Sequence, residues 1–120
     1  QDDVRIEEHV GEGFVQLVER GELDGPEVER TVRASLQPLL DAGADTIVLG
    51  CTHYPFLLPV IERIAGPDVR IIDPAPAVAR QLLKVLTERG LCHPDRTECH
   101  LELLSSGDPS VLHTLAATLA

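Results

Sequence analysis

Three consecutive residues, Cys51, Thr52 and His53, follow a short apolar run and stand two positions before a proline. A free thiol titrates at about 8.5 and an imidazole at about 6.5, so the pair offers a base and a proton carrier on either side of neutral pH. Taken alone, the same residues fit a second use, with the cysteine as a small apolar filler at a strand end and the histidine as a turn residue. Which use applies depends on where the surrounding elements put them.

Those elements alternate between strand and helix, which predicts an α/β fold with a parallel sheet flanked by helices. Thr46-Ile47-Val48-Leu49 is short, apolar and rich in β-branched residues, as a central parallel strand buried on both faces would be. Loops leaving the carboxyl ends of such strands carry ligands, and Cys51 to His53 occupy that place. Val4, Ile6 and Val10 at even spacing predict a first strand, and Phe14 to Val18 a short helix or turn ending at Gly21. Asp24-Gly25-Pro26 predicts a capped helix start, with Glu27 and Glu29 in its first turn. Val28, Val32, Leu36, Leu39 and Leu40 form its apolar face, Pro38 breaks or bends the last turn and Gly43 ends it.

Pro55 opens a second helix with Leu58, Ile61 and Ile64 inward, and Val69 to Ile72 reads as the next strand. A helix over residues 77–88 turns Val78, Leu82, Val85 and Leu86 inward, a loop spans residues 91–96, and residues 98–103 alternate as an edge strand would. Asp108-Pro109 starts a last helix with Val111, Leu112, Leu115 and Leu119 on its apolar stripe.

With 120 residues the chain has length for one modest core. Twenty acidic against ten basic residues give a net charge of −10, which repels phosphate backbones and anionic lipid heads. Nucleic acid and membrane are therefore not expected partners. No apolar run reaches the length of a membrane span and the first residues are acidic, so a cytoplasmic location is expected. Three cysteines are too few, and odd in number, for a disulfide framework.

Leu49-Gly50-Cys51-Thr52-His53-Tyr54-Pro55 resembles the second cysteine motif of glutamate racemases, in the aspartate/glutamate racemase superfamily. The likeness continues in order along the chain, through Phe14 to Gly21, Pro38 to Asp45, Ile72-Asp73, Ala77 to Arg80 and Ser105 to Pro109. It implies a racemase-like fold of which the chain holds an incomplete two-domain part, with residues 1–72 as the second-cysteine α/β domain. Residues 73–120 would be a helix and a strand-helix returning to an amino-terminal domain.

Enzymes of this kind, as the resemblance implies, need neither cofactor nor metal and set two cysteines on opposite faces of the glutamate α-carbon. A thiol suits that task, because it is a base when ionised and an acid when protonated. By the match Cys51 is the base toward L-glutamate and the acid in reverse, and His53 assists its proton transfer. Thr52 hydrogen-bonds substrate and Glu19 is the assisting carboxylate. His53 separates this chain from aspartate racemases, which typically carry Glu there, and Tyr54-Pro55 points the same way. The expected partners are L- and D-glutamate and the amino-terminal half of such an enzyme, with a homodimer open to it as an assembly.

The sequence departs from the family in three places. Gly11-Glu12-Gly13 stands for an Ala-Cys-Pro-like run, and Pro74-Ala75-Pro76 for Ser-Gly-Glu. The family's first half, with its own cysteine, has no counterpart, and neither Cys92 nor Cys99 resembles the missing motif. Rival readings remain. A pyridoxal enzyme needs a Schiff-base lysine, for which there is only Lys84 in mid-helix. A metal module would draw on Cys51/His53, Cys92/His93 and Cys99/His100, none at C-x-x-C or H-x-x-x-H spacing. A racemase-like remnant or interaction domain without turnover is the third.

Overall fold

A computed structural model describes residues 4–92 and 102–118. The chain divides into two units, Gln1–Ile72 and Asp73–Ala120. The first holds α1 (Phe14–Glu19), α2 (Pro26–Asp41), β1 (Thr46–Val48), a 3-10 turn (Tyr54–Leu57), α3 (Leu58–Ala65) and β2 (Arg70–Ile72). The second holds α4 (Ala75–Glu88) and α5 (Pro109–Ala117).

In the first unit β1 and β2 pair in parallel, with Thr46 opposite Arg70, Ile47 opposite Ile71 and Val48 opposite Ile72. Parallel neighbours need a crossover between them, supplied here by the 3-10 turn and α3. The ladder runs past both ends of the strands, since Arg70 N donates to Asp45 O at 2.8 Å and Leu49 N to Ile72 O at 3.0 Å. Among the described residues the sheet has two strands, and β1 is not buried on both faces: Ile47 and Leu49 point into the core, while Val48 is 63% exposed. An apolar run specifies a strand that can be covered twice, but within this unit only one face is covered.

The core is helical. Phe14, Leu17 and Val18 of α1, Val28, Val32 and Leu36 of α2, and Leu57, Val60 and Ile61 are all buried. α2 packs on α3, and α1 packs on both the 3-10 turn and α2. The face expected around Leu58 and Ile64 is rotated, for these two are only half-buried. The cause is the chain's entry into the helix. Pro55 and Pro59 each stand in a first turn, where a missing N–H costs nothing, and a 3-10 turn precedes α3 proper.

Three further expectations are corrected. Residues 4–10 form no strand, and Val4, Ile6 and Val10 are exposed; alternation without a bonding neighbour leaves the chain irregular. Asp24 does not cap α2, whose N-cap is Gly25 without a side-chain bond. The Asp24 carboxylate instead takes Gly25 N at 2.7 Å and Arg63 Nη2 at 2.7 Å, linking the α2 entrance to the last turn of α3. α2 also continues through Pro38 to Asp41. The carbonyls near Pro38 are taken beyond it, by Ala42 N on Pro38 O, Gly43 N on Leu40 O and Ala44 N on Leu39 O.

In the second unit α4 begins two residues earlier than expected, after Asp73 Oδ1 accepts from Ala75 N at 2.9 Å. Its stripe is not inward throughout, since Val78 and Leu82 are exposed and Val85 and Leu86 half-buried. Periodicity identifies an apolar face without supplying its cover. α5 starts as expected, with Asp108 Oδ1 accepting from Ser110 N at 2.8 Å, and Val111, Leu112 and Leu115 are half-buried. Of the edge strand expected at residues 98–103, residues 98–101 lie outside the described part, as do Leu119 and residues 93–96 of the expected loop; Glu102 and Leu103 form no strand. Among the described residues no helix is long and apolar enough to cross a membrane.

Two outcomes follow from this packing. Ile61→Ala, at a fully buried position, should lower unfolding stability by about 2–5 kcal/mol, and Ile64→Ala clearly less, when both are measured by urea denaturation. Equal losses would contradict the burial of Ile61 over Ile64. The Arg63 hydrogen bond, helped by Gly25 N, holds the Asp24 carboxyl below its ordinary range. A depressed carboxyl adds stability that is present above the unfolded value, about pH 4, and is lost as pH falls through the folded one. The pair is exposed, so the effect is small. Wild type should exceed Asp24→Asn in urea midpoint at neutral pH and converge with it on acidification below about pH 4; an unchanged gap would contradict the ion pair.

Candidate active site

The loop between β1 and the 3-10 turn carries Cys51, Thr52 and His53. It is pinned at both ends, by Leu49 in the sheet ladder and by Tyr54 N on Cys51 O at 3.2 Å. Phe56 N on His53 O, also at 3.2 Å, continues the turn and sets the imidazole at its start. Glu19 approaches from the other side, on the last residue of α1. Gly21, at φ 72°, closes that helix with Gly21 N on Val18 O and Glu22 N on Leu17 O, both at 2.9 Å.

The three groups stand in a row. Cys51 Sγ lies 3.9 Å from His53 Nδ1, and His53 Nε2 lies 3.6 Å from Glu19 Oε1. The first is a long thiol–imidazole contact. The second is within ion-pair range yet longer than a hydrogen bond, so a small approach of α1 would complete it. His53 is 30% exposed at its side chain and Glu19 53%. Arg20, next to Glu19, is occupied elsewhere, with Nε on Glu22 at 2.9 Å and Nη2 on Glu27 at 3.4 Å. Those bonds, Glu22 foremost, raise the Arg20 pKa, and Arg20 in turn holds Glu22 below its ordinary range. Glu19 is thus left facing the imidazole.

Thr52 shares the loop and is exposed. The structure therefore brings Cys51, His53 and Glu19 together, with Thr52 beside them and outside the row. Among the described residues no group of three His, Cys, Asp or Glu is placed to hold a metal ion, while His93, Cys99 and His100 lie outside the described part. Cys92 is exposed, with Thr87 Oγ1 3.4 Å from its sulfur. A shallow depression of about 530 Å³ on α2, lined by Pro26, Glu29, Arg30, Arg33, Ala34 and Gln37, contains no nucleophile and lies apart from this row.

One feature of the site escapes a reading by motif. Tyr54 Oη accepts a hydrogen bond from Gly11 N at 3.2 Å, and its ring meets the Phe14 ring edge-on, centroids 5.0 Å apart at 67°. Such a pair is worth about 0.5–1.5 kcal/mol beyond the area it buries. A Cβ on Gly11 would stand 2.8 Å from Phe14 Cδ2 and 2.9 Å from Tyr54 Cζ and Oη, so only glycine lets the backbone approach this closely. Gly13 takes φ 81° as the N-cap of α1, which a proline ring forbids. The Gly11-Glu12-Gly13 departure thus has a local cause in the way the chain passes Tyr54 and enters α1. The signal in sequence was two glycines before an aromatic; the partner, 43 residues away, was not visible.

A thiol and an imidazole beyond the end of a parallel strand, with a carboxylate brought to them by α1, form an arrangement suited to moving a proton at a carbon acid. The chain belongs to the Asp/Glu/hydantoin racemase family, whose sequence profile matches residues 3–82. Glutamate racemases are among the relatives it matches. That of Herpetosiphon aurantiacus is 45% identical over 108 residues, covering 90% of this chain and 42% of the relative. The solved glutamate racemase isoform RacE1 from Bacillus anthracis superposes with a TM-score of 0.78 at 31% identity, over 92% of this chain and 41% of that one. The glutamate racemase of Francisella tularensis, solved with D-glutamate, gives 0.70 at 27% identity, over 87% and 40%. The chain spans about two fifths of the length of these relatives. The expected fold class, an α/β fold with a parallel sheet flanked by helices, and the resemblance to glutamate racemases both hold.

Proposed function

We propose that this chain carries one of the two proton-transfer faces of a glutamate racemase, working on L- and D-glutamate in the cytoplasm and supplying D-glutamate for peptidoglycan synthesis. The row Cys51–His53–Glu19 is the observation that supports this most directly. The kinship with glutamate racemases, one of them solved with D-glutamate, supports the substrate.

In this reading the Cys51 thiolate takes the α-proton of L-glutamate, leaving a carbanion at the α-carbon and a thiol at Cys51. A second cysteine, contributed by the amino-terminal half of such an enzyme, gives a proton to the opposite face and is left as thiolate. The product is D-glutamate, and the reverse reaction exchanges the two roles. His53 Nδ1, facing the sulfur, assists Cys51 in the transfer, and Glu19 at Nε2 supports the imidazole when it carries charge. Thr52, exposed on the same loop, hydrogen-bonds the substrate. Thiols suit both steps, because they reach both protonation states near neutral pH.

Mixing this chain with the separately expressed amino-terminal part of the Herpetosiphon relative should generate D-glutamate from L-glutamate, followed by optical rotation. No turnover in the mixture favours the reading as a racemase-like domain without catalysis. In an active mixture, Cys51→Ser should slow wash-out of α-deuterium from L-glutamate by orders of magnitude more than from D-glutamate. Equal losses on both substrates would remove Cys51 from its assigned face.

A further inference from the structure

We propose that Tyr54 is a positioning residue: with Gly11 and Phe14 it forms a joint that sets the distance between the Glu19 carboxylate and the His53 imidazole. This rests on the reading of that row as the proton-transfer site and adds the part that adjusts it.

The argument is one of leverage. α1 is a six-residue helix with Phe14 at its first position and Glu19 at its last. Hydrogen bonds from Leu17 N to Gly13 O and from Arg20 N to Gln16 O tie its turns together, so the two ends move as one short rod. Tyr54 is bonded in sequence to His53 and touches α1 through the Phe14 ring, edge-on with centroids 5.0 Å apart. It also holds the chain entering α1, by accepting from Gly11 N at 3.2 Å. Loop and helix therefore meet at the residue that follows His53, while Glu19 stands at the other end of the rod.

The gap it controls is poised. At 3.6 Å, His53 Nε2 and Glu19 Oε1 are a few tenths of an ångström beyond hydrogen-bond length. Small tilts of α1 make or lose the bond, and with it the choice of ring nitrogen that carries the proton in the neutral imidazole. Cys51 Sγ, 3.9 Å from Nδ1, meets either a lone pair or an N–H accordingly.

The ring nitrogens of His53 report this directly, by nitrogen-15 chemical shifts of the full chain at a single pH and without substrate. Glu19→Gln supplies the values for a lost carboxylate. Tyr54→Leu should carry the shifts most of the way to those values, and Tyr54→Phe, which keeps the ring contact but not the Gly11 bond, part of the way. Gly11→Ala, opening the joint from the other side, should move them in the same direction. Tyr54→Leu added to Glu19→Gln should then move them no further. Wild-type shifts in folded Tyr54→Phe and Gly11→Ala, with only the melting temperature lowered, would overturn the proposal. So would a Tyr54→Leu effect of undiminished size in the Glu19→Gln background. Should Tyr54→Leu fail to fold, the two gentler variants decide. Turnover plays no part in this measurement, so the joint and the racemase reading can fail separately.

Discussion

Burial of Leu57, where the 3-10 turn packs on α1, and of Val60 and Ile61 on α3, which packs on α2, holds the first unit together. The 3-10 turn that begins at Tyr54 ends at Leu57, so anchoring Leu57 leaves the preceding three residues little freedom. The same core takes Phe14, Leu17 and Val18 from α1, and thereby carries Glu19 to the loop. A thiol and an imidazole from one segment and a carboxylate from another, 32 residues or more apart in sequence, meet because their supports share one apolar interior.

Packing, rather than mutual attraction, holds the row. Unit charges about 4 Å apart in water attract by about 1 kcal/mol, and exposed pairs realise less. The Glu19 side chain is largely in solvent, so its contact with His53 is too weak to order α1 by itself. The α1 Schellman closure at Gly21 and the aromatic contact at its start supply that order instead. Arg20 contributes by exclusion, since pairing with Glu22 and Glu27 keeps its guanidinium from Glu19.

The apolar surface tells a second story within each unit. Val48 stands exposed on β1, and Val78 and Leu82 on α4, although strand composition and helical periodicity assign them to an interior. A two-stranded parallel sheet covered on one face is an unusual end state, because parallel sheets are ordinarily buried on both. Relatives more than twice as long contain this chain's segment within a larger fold. Apolar positions read from pattern are best understood here as residues able to be buried.

The α/β alternation, the placement of Cys51 to His53 beyond a strand end, and the helix starts at Pro26 and Pro109 are all legible in the chain. These follow from short-range chemistry: β-branched runs, proline at first turns, and loops at strand ends. The motif around Cys51 was legible for the same reason, being contiguous. Folding settled which faces are buried, that Asp24 turns to Arg63 instead of capping α2, and that residues 4–10 remain irregular. It alone brought Glu19 opposite His53 and set Tyr54 against Gly11 and Phe14. Each of those outcomes hangs on a partner tens of residues away. A side chain's choice between a local bond and a distant one is made by the free energy of the packed unit, which no window of sequence contains.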